Sequence, residues 1–165
     1  MTDETVIGVI PTARIKTGFF SSKAYTLVFT DRRLILAEMT KDLVNAQIER
    51  SRAAAKEQGG GFLSQWGAQL KSSFSFGSQY RGADPAAILA ETPGNSALGP
   101  ADVRSIKIER KTRSSGSDDD VTEQQFLKIT VETAAGKQTY DTDAEKPKLD
   151  EARAMAASVF GPAVR

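Results

Sequence analysis

Residues 24–39, Ala24-Tyr25-Thr26-Leu27-Val28-Phe29-Thr30-Asp31-Arg32-Arg33-Leu34-Ile35-Leu36-Ala37-Glu38-Met39, decide the fold class. Two runs of β-branched, aromatic and aliphatic residues flank one short polar stretch, the pattern of a β-hairpin. Strand side chains alternate, so Tyr25, Leu27 and Phe29 share one face and Thr26, Val28 and Thr30 the other. Asp31 and Arg32 are expected to turn the chain, and Leu34 to Met39 to return as the partner strand.

Working outward, Thr5 to Ile10 reads as a strand that ends near Pro11 and resumes through Ala13 to Thr17. Gly18 opens a loop with Phe19, Phe20, Ser21 and Ser22. Downstream, Thr92 to Asn95 is a turn and Ser96 to Gly99 a short edge strand. Val103 to Lys111 alternates Ile106 and Ile108 against Lys107 and Glu109. Arg113 to Asp120 reads as a solvated loop. Phe126 to Thr133 sets Leu127, Ile129 and Val131 against Lys128, Thr130 and Glu132, and Ala134 to Lys137 turns into a last strand, Gln138 to Thr142. A final helix is expected from a cap at Asp143 through Phe160. Its buried stripe is Leu149, Ala152, Met155, Ala156 and Val159, and Gly161-Pro162 stop it.

Between the two β regions, residues 41–90 read as a helical insertion after the third strand. Thr40 or Asp42 caps its first helix, where Leu43, Val44, Gln47, Ile48, Ser51 and Ala55 recur at helical spacing. Gly59 to Gly61 end that helix. A second helix from Phe62 carries Phe62, Leu63, Trp66 and Leu70 with Phe74 beyond, and Asp84-Pro85 start a short third one. The expectation is a single α+β domain over 1–165: a bent seven-stranded antiparallel β-barrel or sandwich, its open mouth covered by the C-terminal helix.

The 165 residues can bury a core without disulfides. The chain has no Cys and no His. That excludes a thiolate nucleophile and Cys-based zinc sites, and it removes the commonest general base and metal nitrogen ligand. No serine has a lysine three residues on, Gly59 to Gly61 lack a following Gly-Lys-Ser/Thr, and Asp118 to Asp120 lack EF-hand spacing. No enzymatic activity, catalytic residue, cofactor or metal site is therefore expected. A net charge of +1 offers no field for nucleic acid, so no nucleic-acid partner is expected. No apolar run approaches roughly 18 residues, and MTDETVIGVIP lacks a basic leader pattern. A cytoplasmic location is expected, with membrane contact at most peripheral.

Two fragments resemble the pleckstrin-homology-like domains of bacteria and archaea. Tyr25 to Ile35 is similar to their "x-L-x-x-T-D-x-R-L-I" hairpin. Gly99 to Ile108 (Gly-Pro-Ala-Asp-Val-Arg-Ser-Ile-Lys-Ile) is similar to the "P-x-x-D-I-x-S-I-x-V" lead-in to their fifth strand. With the final helix, the resemblance spans most of the chain outside residues 41–90. It implies a binding or scaffolding module rather than an enzyme. Some members bind phosphoinositides through a K-x(n)-[K/R]-x-R pattern; Lys16 and Lys23 match its first positions and Tyr25 stands where it has arginine.

Two constellations follow. Leu43, Ile48, Phe62, Trp66 and Leu70 on the insertion form a face for a protein partner or a second copy of the chain, a lipid-interface face, or a face folded back on the barrel. Lys16, Lys23, Arg32 and Arg33, with Arg14, lie on or near the first two hairpins. They are candidates for an anionic headgroup, with Phe19 and Phe20 as inserting residues, or ordinary solvated charge.

Overall fold

The computed structural model describes residues 3–43, 45, 46, 49, 80–142, 145 and 147–165. The sheet-bearing body comprises residues 1–38 and 77–165, and residues 39–76 form a second compact unit. Of that second unit the described part starts a helix at Lys41, where the Thr40 hydroxyl accepts the Leu43 N–H at 3.2 Å. This is the expected cap. Most of the insertion, including Ile48, Phe62, Trp66 and Leu70, lies outside the described residues.

The body is α+β. Its strands are β1 Val6–Lys16, β2 Ser22–Thr30, β3 Leu34–Glu38, β4 Ser96–Leu98, β5 Val103–Ser117, β6 Asp120–Thr133 and β7 Gly136–Thr142. They form one seven-stranded sheet in the order β4-β3-β2-β1-β7-β6-β5, with every neighbouring pair antiparallel. The sheet is not closed; β4 and β5 are its edges. Two helices join it, α1 Pro85–Glu91 and α2 Leu149–Phe160.

β1 runs unbroken through Pro11, where two strands were expected. The proline has no N–H to give the ladder, and the β1–β2 register shifts between Ile10 and Ala13. The buried Thr26 hydroxyl donates to the Pro11 carbonyl at 2.9 Å, satisfying the acceptor that the irregularity leaves over. Beyond the shift, Ala13 and Arg14 pair with Thr142 and Asp141 of β7. One strand thus serves both halves of the sheet.

The core lies on one face. Ile10, Leu27, Phe29, Leu34, Ile106, Ile108, Leu127, Ile129, Val131 and Tyr140 meet Ala152, Ala156 and Phe160 of α2. Of the stripe expected of the last helix, Ala152 and Ala156 are buried and Leu149, Met155 and Val159 are half-buried against the core, with Phe160 added to it. Gly8 shows how close α2 comes: a Cβ there would lie 1.8 Å from Met155 Sδ. On the opposite face Val28, Ile35 and Ala37 are buried as well, and α1, with buried Pro85 and Ile88, packs against β3. Asn95 ties these parts together, donating to the Ile88 carbonyl and accepting the Glu38 N–H, both at 2.7 Å.

Two boundaries differ from expectation. α2 begins at Leu149 rather than near Asp143. Pro147 disfavours helical backbone at the residue before it, and the Glu145 carboxylate accepts the Leu149 N–H at the helix start. Arg113 to Asp120 is not a loop. The β5–β6 register continues pair by pair from Ser105↔Glu132 to Ser117↔Asp120, leaving only Asp118 and Asp119 as the turn.

Candidate functional site

The tip between β1 and β2 is built by local bonding. Lys16 pairs with Ser22, the Ser21 carbonyl accepts the Thr17 and Gly18 N–H groups at 3.0 and 3.3 Å, and the Thr17 hydroxyl donates to Ser21 Oγ. The closure leaves Gly18, Phe19 and Phe20 at the apex. Phe19 is 99% and Phe20 100% exposed, and their rings lie 5.7 Å apart between centroids. Fully wet phenylalanines are costly, and two together form an exposed apolar patch at the loop tip.

Lys16 and Lys23 stand at the base of this loop on adjacent strands, both exposed. Lys23 Nζ reaches Glu38 Oε1 only at 4.0 Å, and its side chain is 54% exposed. The base of the loop is therefore cationic and the apex apolar.

Arg32 and Arg33 lie elsewhere. They follow β2 at the end opposite Lys23, and at about 3.3 Å per residue the strand separates them by roughly 25–30 Å. Arg33 is committed to structure, its Nε and Nη2 bonding the two Glu4 carboxylate oxygens, each at 2.8 Å. Burial pushes the Glu4 carboxyl up, but the Arg33 and Thr30 hydrogen bonds and the Arg33 and Arg32 charges outweigh it and hold it below its usual value. Lys16 and Lys23 thus flank the loop base in adjacent register, on opposite faces of the hairpin, and both are separated from Arg32 and Arg33. An open groove of about 540 Å³ beside Glu4, lined by Asp3 to Val6 and Gly82 to Ala86, carries carboxylates and backbone rather than cations.

The polar residues of both resembling fragments work on turns. Thr30 and Asp31 knit the β2–β3 turn to the N-terminal segment: Asp31 N–H donates to the Thr5 carbonyl and Thr5 N–H to Asp31 Oδ1. Asp102 closes the turn into β5 by accepting the Gly99 N–H at 2.8 Å.

Among the insertion candidates only Leu43 is described, half-buried on its helical turn. Among the described residues no group of three or more carboxylates could hold a metal ion, and no helix is long and apolar enough to cross a membrane. Sequence reading passed over the β5–β6 ribbon, whose polar residues carry no apolar alternation to announce a strand. Comparison of the chain with protein-family models, with curated proteins and with solved structures gives no match.

Proposed function

We propose that this protein is a non-catalytic recognition module with a pleckstrin-homology-like architecture, docking peripherally on anionic membrane surfaces through its β1–β2 loop. The architecture is supported by seven antiparallel strands in the order 4-3-2-1-7-6-5 and by a helix that follows the last strand and packs on the core. The docking reading is carried by one observation: Phe19 and Phe20 stand wholly exposed at a bonded loop tip above Lys16 and Lys23.

The magnitudes suit a reversible contact. Burying two phenylalanines contributes roughly 3–6 kcal/mol, and two lysines near an anionic surface add about 1 kcal/mol each. Arg32 and Arg33 have no part in this contact. Vesicle flotation tests the reading. Wild type is expected to float with phosphatidylserine vesicles at low salt, weakly with phosphatidylcholine, and a Phe19→Ala, Phe20→Ala variant to remain at the bottom. Equal flotation of both proteins would reject the loop as the docking element.

The helical spacing of Leu43, Ile48, Phe62, Trp66 and Leu70 supports a second surface, a face for a protein partner or a second copy. Sedimentation of a Trp66→Ala, Leu70→Ala variant at high concentration separates this face from the loop: its mass is expected to fall relative to wild type, and an unchanged mass would reject self-association there.

A further inference from the structure

The β5–β6 hairpin outruns the sheet. β5 spans 15 residues and β6 spans 14, yet β7 pairs with β6 only from Lys128 to Thr133. From Lys111 to Gln125 every residue is exposed, so the outer part is a two-stranded ribbon with solvent on both faces. Such ribbons are marginal alone. Here the base is braced by Arg110, bonded to Glu145 at 2.6 and 2.9 Å, and by Arg113 over the Phe126 ring at 4.4 Å.

β5 is also a sheet edge. Its first part is covered: Arg165 N–H donates to the Ile106 carbonyl, Ile108 N–H donates to the Arg165 carbonyl, and the Arg153 guanidinium donates to the Ile108 carbonyl. Those bonds fix the parity. Even-numbered residues of β5 turn their backbone groups away from β6, so Arg110, Thr112, Ser114 and Gly116 present theirs to an edge that nothing covers among the described residues. The usual protections of an edge are sparse here: between Thr112 and Ser117 there is no proline, no register shift and one charge, Arg113.

Charge is segregated along the hairpin. Lys107, Arg110, Lys111 and Arg113 of β5 lie toward the base and outnumber Glu109 and the Glu145 that pairs with Arg110, while Asp118 and Asp119 of the turn and Asp120 and Glu123 of β6 occupy the tip. An antiparallel, two-fold contact sets each tip against the other base. We propose that the outer edge of β5 pairs with the same edge of a second copy of this chain. Centred on Ser114, the pairing sets Thr112 opposite Gly116 with outward hydrogen-bonding groups facing one another, and brings Arg110 level with Asp118 in the turn of the other copy.

Sedimentation equilibrium of the full chain at low and high salt tests this. Wild type is expected to form dimers at low salt that weaken as salt rises. Ser114→Pro removes one outward N–H per copy without touching the β6 ladder, and is expected to weaken the dimer about tenfold or more. A tip variant, Asp118→Lys with Asp119→Lys and Asp120→Lys, and a base variant, Lys111→Glu with Arg113→Glu, are each expected to lose the salt-sensitive association, and their mixture to restore it. Circular dichroism confirms that each variant is folded. A wild type monomeric throughout would overturn the proposal. So would a dimer indifferent to Ser114→Pro and to both charge reversals, including one dissolved only by the Trp66→Ala, Leu70→Ala variant.

Discussion

At Thr30 a single hydroxyl completes the β2–β3 turn. It accepts the Arg32 and Arg33 N–H groups at 3.1 and 3.0 Å and donates to Glu4 Oε1 at 2.6 Å. Replacing it with valine keeps the volume and orphans the two N–H donors, so Thr30→Val is expected to cost roughly 1–3 kcal/mol in urea unfolding. Its partner Glu4 sits below its ordinary value when folded. That contribution is full above the usual carboxylate range and is lost as pH falls through the folded value, so Glu4→Gln should flatten the acid limb of a stability profile. Tyr140 behaves in the opposite sense. Burial, and then the neighbouring Tyr25, push its hydroxyl up to about 12. The neutral form belongs to the fold, so this stabilisation holds below the ordinary tyrosine value near 10 and disappears as pH rises through about 12. A tyrosinate titration should show a late-ionising component that Tyr140→Phe removes. Asp141 carries a buried oxygen without a hydrogen-bond partner among the described residues, flanked in register by Arg14 and Lys128.

Among the elements, the β5–β6 ribbon depends on Gly116. Its φ is +129°, and a Cβ there would fall 1.9 Å from the Asp120 carbonyl oxygen. Gly116→Ala is expected to open the ribbon tip, read as faster amide exchange from Ser114 to Thr122 with little change in β7 or α2. The sequence declared those strands that bury one face: Leu127, Ile129 and Val131 alternate because α2 and the core lie on that side. It did not declare the ribbon, because a ladder with water on both faces selects for no apolar period, and Arg-Ser-Ser-Gly-Ser-Asp-Asp-Asp has the composition of a loop. Pro11 similarly suggested a break that the Thr26 hydroxyl repairs. The start of α2 depends on Pro147 and on the Glu145 carboxylate four residues upstream, which Arg110 of β5 holds in a tertiary pairing that helical periodicity does not encode. Of the site, Lys16, Lys23, Phe19 and Phe20 were legible because a hairpin brings its own ends together. Arg32 and Arg33 are near them in sequence but lie at the far end of a nine-residue strand.

At the scale of the sheet-bearing body, the open seven-stranded sheet with α2 on the core has two features at its ends on which the proposals rest. An apolar tip with a cationic base lies at the β1–β2 loop, and a bare, charge-segregated edge lies along outer β5. Arg33, in contrast, is held by Glu4 within the fold, so Arg33→Ala should lower stability while leaving membrane binding per folded molecule unchanged. The most direct test of the central claim places a reporter at the tip. Because the chain has no cysteine, Phe20→Cys and Arg32→Cys each give a single site for a nitroxide label. On phosphatidylserine vesicles the label at 20 should become accessible to dissolved oxygen and shielded from an aqueous nickel chelate, while the label at 32 stays fully aqueous. A label at 20 that remains as accessible to the nickel reagent as in vesicle-free buffer, with the protein bound, would contradict the account.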